Sequence, residues 1–230
     1  LWQVPISEAD ARAESRREAA PAAAVVLLVI IMLAVVSQAK EWELLGLSWW
    51  VWLLVALPVL LLTIDLALTY RGTGIVRSRK AALLLLGLLV LGNFAAVVIL
   101  VAALVTTNSA ELSGGELLFT GFAIWSADVI VFGLWFWEVD AGGPVARLHA
   151  SRSETHDFEF PQDDNPRSGA EDWHPQVWDY VYVSLTNSIA FSPTDAMPLS
   201  LRAKALMGLE SAISAVTVLL IAAHAVNVLS

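Results

Sequence analysis

The sequence predicts an all-α membrane protein of about five transmembrane helices plus a short re-entrant helix, and three observations carry that prediction. Of its 230 residues 57% are hydrophobic and 15% charged, with a mean hydropathy of +0.68, more apolar and less charged than a soluble domain of this length. Five apolar runs approach or exceed the roughly 20 residues that a helix needs to cross the hydrocarbon core. A further aromatic and apolar stretch, too short to span, precedes the last of them.

In chain order, residues 1–20 read as an amphipathic N-terminal segment, with Glu8 and Arg12 four apart on a short surface helix. The first apolar run, 21–38, has Arg16 and Arg17 before it and Ser37-Gln38-Ala39 after it. That pattern also fits a secretory signal with a small-residue cleavage site, and a retained helix is the reading adopted. The chain opens at Leu1 rather than methionine, as expected of a processed or trimmed chain. The second and third runs, 47–70 and 81–107, complete a set of three peripheral helices over 21–107. The fourth and fifth lie at 117–139 and 199–229. Trp49, Trp50 and Trp52, and Trp135 and Trp137, stand near the ends of their runs, where amphipathic rings settle at headgroup level.

The segment 140–175 differs in kind, being polar and rich in Gly, Pro, Ser and Asp. It reads as a water-facing domain or lid, its acids either simply solvated or forming a vestibule that concentrates cations by field focusing. Composition excludes several functions. With no cysteine, thiolate nucleophiles, disulfides and cysteine metal sites are ruled out. A net charge of −9 argues against a nucleic-acid partner, which needs a basic surface. The partners expected are the lipid bilayer, inorganic cations and further copies of the chain; no catalysed chemistry is expected.

Residues 176–187 form the short aromatic stretch, and 188–195 an irregular one with Pro193 inside it and Pro198 close by. Non-helical backbone at membrane depth is tolerated only where protein buries it or it lines a watery cavity, and a pore loop meets that condition. Val183-Ser-Leu-Thr186 followed by Asp195 resembles the end of the pore helix and the acidic residue closing the filter in the tetrameric potassium-channel-like family. Leu201-Arg-Ala-Lys-Ala-Leu-Met-Gly-Leu-Glu210 is similar to the start of that family's inner helix. The resemblance covers 117–229. It implies a homotetramer with outer helix 117–139, acidic loop 140–175, pore helix 176–187, filter 188–195 and inner helix 199–229. The same half also resembles an uncharacterised bacterial membrane family, which implies a bacterial plasma membrane.

The resemblance implies a filter region of Thr186, Asn187, Ser188, Ile189, Ala190, Phe191, Ser192, Pro193, Thr194 and Asp195. It departs from the family pattern of Thr-Val-Gly-Tyr-Gly, whose glycines aim successive carbonyls at the ion. Ala190 and Ser192 stand where glycines would, Pro193 fixes its own backbone, and Asn187 and Pro193-Thr194 look like insertions. The expectation is passage of K+ or Na+ as permeant ions with weak discrimination between them. Oxygens of Thr186, Asn187, Ser188 and Asp195 make a candidate calcium site, since calcium takes all-oxygen ligands, and Thr194 offers a further oxygen. No obligatory cofactor is expected. The alternative is that these residues cap the neighbouring helices.

On the inner helix, Glu210, Ser214, Thr217, Ile221 and His224 share one stripe by steps of three and four. Ser214, Thr217, Ile221 and His224 are expected either to line the pore or to pack against a neighbouring helix. His224 would make conduction pH-dependent in the first case. Asp65 and Asp128 are further intramembrane acids. With Glu210 they support a rival reading as a secondary transporter, though no repeated halves are visible. A third reading is a non-conducting scaffold or sensor. Arg71, Arg77, Arg79 and Lys80 put residues 71–80 in the cytoplasm by the positive-inside rule, and the filter with them; the family resemblance implies a filter facing outward.

Overall fold

A computed structural model describes residues 8–68, 79–106, 114–149, 156–164, 173–192 and 195–229. It is mostly helical: α1 (Glu8–Lys40), α2 (Trp49–Leu68), α3 (Arg79–Thr106), α4 (Gly114–Val139), α5 (Pro144–His149), α6 (Pro161–Asp164), α7 (Val177–Ala190) and α8 (Leu201–Leu229). Two short strands, β1 (Phe158–Glu159) and β2 (Met197–Pro198), pair antiparallel with Phe158 opposite Pro198. Four helical stretches are long and apolar enough to cross a membrane: Arg17–Lys40, Ala82–Ala102, Gly114–Gly142 and Leu201–Ala223. The chain is therefore built as a multi-pass membrane protein. The second predicted span is also helical, but its apolar part, Trp49–Ile64, is shorter than the other four.

Three boundaries differ from the sequence reading. The surface helix expected before residue 21 is continuous with the first membrane helix, so that α1 runs unbroken for 33 residues. Its run of alanines from Ala9 to Ala24 is the strongest helix-forming composition available, and Pro21 interrupts one bond without ending the helix. The short helix continues three residues past 187, to Ala190, because nothing from Ser188 to Ala190 opposes helical angles. It ends where Phe191 turns left-handed at φ 54° and its N–H bonds Asn187 O at 2.9 Å. The loop 140–175 has structure of its own, with α5, β1 and α6 inside it.

Helix α4 is the centre of the bundle, packed by α1, α3, α7 and α8. From Ala127 to Leu134 every residue of it is buried, so it reads as hydrophobic all round, as a central membrane helix must. Two glycines allow the closest approaches. A Cβ on Gly133 would lie 2.7 Å from Val181 Cα on α7, and one on Gly121 would lie 2.7 Å from Ile221 Cγ1 on α8.

Helix α7 has 14 residues and is about 21 Å long, short of the roughly 30 Å core. Its buried side chains, Val177, Tyr180, Val183, Ser184, Asn187 and Ser188, recur at helical spacing, whereas Trp178, Tyr182 and Ile189 are exposed. At its start, Gln176 and Asp179 form a capping box, and the Val177 N–H is bound by the Glu18 carboxylate of α1 at 2.5 Å. The Tyr180 hydroxyl bonds Asp140 at the end of α4, and Asp157 bonds Arg202 at the start of α8. These contacts gather the N-terminal part of α1, the end of α4 and the starts of α7 and α8 at one end of the bundle. That end carries Arg17, Arg147, Arg202 and Lys204, and Lys40 lies at the opposite end of α1.

Candidate functional site

The polar side chains on the inner stripe of α7 meet α8 and α4 in a dry seam. Glu210 of α8 is fully buried and receives two polar groups from α7. Asn187 Nδ2 donates to Glu210 Oε2 at 2.6 Å and to the Met207 carbonyl at 3.0 Å. Ser184 Oγ bonds Glu210 Oε1 and stands 2.7 Å from the Val129 carbonyl of α4. Ser211 donates to Asn187 Oδ1 at 3.1 Å, completing that amide. Next to Val129 on α4, Asp128 is 1% exposed. Its Oδ1 accepts from Asn93 of α3 at 3.4 Å, and its Oδ2 has no hydrogen-bond partner. Ser214 of α8 lies beside it, its hydroxyl turned to the carboxyl.

The structure brings Asn187, Ser184 and Glu210 together and disperses much of the predicted site. Ser188, Ile189 and Ala190 are helical residues of α7 rather than loop. The Thr186 hydroxyl donates to the carbonyls of Tyr182 and Val183, and that of Ser188 to Leu185, all on their own helix. Asn187 is committed to α8. Within one chain the predicted calcium ligands Thr186, Asn187 and Ser188 thus bond to their own helix and to α8. Thr186 and Asn187 lie in the short helix as predicted, and Ser188, read as the first residue after it, joins that helix. Phe191 and Ser192 are exposed and follow the helix; Pro193 and Thr194 lie outside the described residues.

The inner-helix stripe is buried within the chain over the part described. Ser214 and Thr217 are 0% and 1% exposed within one chain, Thr217 donates to the Ile213 carbonyl, and Ile221 packs on Gly121. In one chain Ser214, Thr217 and Ile221 pack against neighbouring helices, the glycine of α4 letting α8 close over it. The side chains of His224 and Asp65 lie outside the described residues.

A second polar cluster, at the end of the bundle where α7 starts, escaped the sequence reading. Asp140, fully buried, accepts the N–H groups of Asp157 at 2.7 Å and Phe158 at 3.1 Å and the Tyr180 hydroxyl at 2.5 Å. Arg147, also buried, sits 3.7 Å from Asp140, donates to the carbonyls of Trp137 and Asp140, and lies 5.1 Å over the Tyr180 ring. Phe158 and Phe160 pack edge-on against Tyr180. The described part of the acidic loop is therefore folded down onto α4 and α7, with Asp140, Asp157 and Asp163 each accepting hydrogen bonds. The alternation Phe158-Glu159-Phe160 was the available signal, since period two marks a half-buried strand.

Asp157 makes a bidentate pair with Arg202, at 2.6 and 2.5 Å. Burial by itself would push the Asp157 carboxyl up, but the bonds from Arg202, Ser200 and the Ala141 N–H, together with the Arg202 charge, outweigh it and hold the carboxyl below the usual range. A depressed carboxyl contributes stability above its unfolded value, about 3.9, that is lost as pH falls through the folded value. The Arg202 side chain is 57% exposed, so screening limits the pair to about 1 kcal/mol or less. Asp157→Asn is expected to melt below the parent above about pH 4 and to converge with it in more acid solution. A gap that stays constant with pH would remove the ion pair as its cause.

The arrangement defines a class: a multi-pass helical membrane protein in which a sub-membrane-length helix is clamped between two long ones through a buried polar seam. No family model, curated protein or solved structure matches the chain.

Proposed function

We propose that the chain is a pore-loop cation channel acting as a homotetramer in a bacterial plasma membrane, with α4 as outer helix, α7 as re-entrant pore helix and α8 as inner helix. The observation that supports this most is α7 itself. It is too short to cross the bilayer, it is bonded to α8 through Asn187 and Glu210, and it is followed by non-helical chain at Phe191 and Ser192. Such backbone needs water or protein around it at membrane depth, and a shared axis supplies both. The exposed apolar side chains of Trp178, Ile189, Phe191 and Leu201 offer the surface for neighbouring copies.

With Ser188–Ala190 inside the helix, the ion-facing stretch contracts to residues 191–195. No glycine occurs there, so a stack of inward carbonyls on the potassium pattern does not form and K+ and Na+ are discriminated weakly. Calcium at this mouth would depend on backbone carbonyls and Asp195 rather than on Thr186, Asn187 and Ser188. A carrier is the second reading, favoured by the two buried acids Asp128 and Glu210. Recordings from purified protein in planar bilayers separate the two. Unitary current steps are expected, with a reversal potential near zero under a K+/Na+ gradient and sensitivity to added calcium. Flux without steps would establish the carrier instead, and the absence of both would end the channel reading.

A further inference from the structure

Counting hydrogens in the seam assigns a proton. Ser184 Oγ lies within hydrogen-bond distance of two oxygens, the Val129 carbonyl at 2.7 Å and Glu210 Oε1. A serine hydroxyl carries one hydrogen and a carbonyl only accepts. If that hydrogen goes to Val129, the contact with Glu210 needs a hydrogen from the carboxyl. If it goes to Glu210, two bare oxygens face each other at 2.7 Å in a dry interior. The other carboxyl oxygen is taken, because Asn187 Nδ2 donates to Oε2 while its second hydrogen goes to Met207 and its Oδ1 accepts from Ser211. We propose that Glu210 is a proton-binding site, a neutral carboxylic acid that donates from Oε1 to Ser184, which donates in turn to the Val129 carbonyl.

The surroundings agree. Among the described residues no lysine or arginine bonds to Glu210. The one titratable group that faces it is Asp128 on α4, which adds negative charge. From α7 it meets Ser184 and Asn187, neither of which titrates, and α3 reaches the seam through Asn93. On α8 itself, Arg202 is taken up by Asp157. Release of the proton to water leaves a carboxylate, and Ser184 then has to turn its hydrogen from Val129 to Glu210, breaking its bond to the α4 backbone. The site goes beyond the channel reading, and its test does not use conduction.

Infrared spectra of the full chain in bilayers at neutral pH, with glutamate carboxyls labelled by carbon-13, read the proton directly. A protonated-carboxyl band that shifts with the label, disappears in Glu210→Gln and survives in Asp128→Asn is expected. A band from Glu116 or Glu138, also buried, would instead survive Glu210→Gln. Glutamine supplies an N–H toward Ser184 and a carbonyl toward Asn187, so this variant keeps the seam bonded. If the folded chain holds a proton that the unfolded chain releases, stability falls with rising pH. The parent's melting temperature is therefore expected to drop relative to Glu210→Gln as pH rises. A spectrum without a band sensitive to Glu210→Gln, or parallel melting curves across pH, would overturn the assignment.

Discussion

Asp140→Ala is expected to lower the unfolding free energy by about 3–5 kcal/mol, the cost of removing one partner from a buried charged pair. The substitution strands several groups at once. Arg147 loses its counter-charge at 4% exposure, the N–H groups of Asp157 and Phe158 lose their acceptor, and so does the Tyr180 hydroxyl. Asp140→Asn keeps one acceptor oxygen and is expected to cost less, about 1–3 kcal/mol. Denaturant titration in mixed micelles measures both. Because Tyr180 belongs to α7, Asp140→Ala should also speed hydrogen exchange in that helix. A loss below about 1 kcal/mol, the scale of a surface pair, would show that the cluster is solvated rather than dry.

Substitution at Gly133 is the other large effect. A Cβ there would sit 2.7 Å from Val181 Cα and 3.0 Å from its nitrogen, and backbone cannot swing aside as a side-chain tip can. Gly133→Ala is expected to cost about 1–3 kcal/mol by overpacking, and Gly133→Leu more, by driving α4 and α7 apart. Gly208 on α8 is the control, with nothing within 4 Å of its added Cβ. There alanine should be neutral or stabilising, since a helical glycine costs about 1 kcal/mol relative to alanine. Melting temperatures of the three variants in one detergent decide it. Equal effects at Gly133 and Gly208 would mean that the close crossing does not form.

The sequence exposed what is local and periodic. Apolar run lengths located the long helices, and steps of three and four put Glu210, Ser214 and Thr217 on one face of α8. The deficit in length marked α7 as unlike the others. What lay across the stripe was invisible, because the partner of Glu210 on α7 is 23 positions away and the partner of Tyr180, just past the end of α4, is 40 away. Periodicity shows that a residue faces inward without saying what it meets. The fold of the 140–175 segment was hidden for another reason. Its composition is that of a solvated loop, and the two phenylalanines that anchor it are too few to raise average hydrophobicity. The end of α7 was placed at 187 because the resemblance put the filter at 188–195, whereas nothing local from Ser188 to Ala190 stops the helix, which runs to Ala190.

The carboxylate of Glu18 has a mechanical consequence. It grips the leading N–H of a helix that begins 159 positions later in the chain. With 3.6 residues per turn, a twist of α1 by a single residue's angle would carry that oxygen out of reach and leave the N–H bare, at about 1–3 kcal/mol. The long first helix therefore acts as a lever arm with its short end hooked to α7. Rotation of α1 about its axis is thereby coupled to the start of α7.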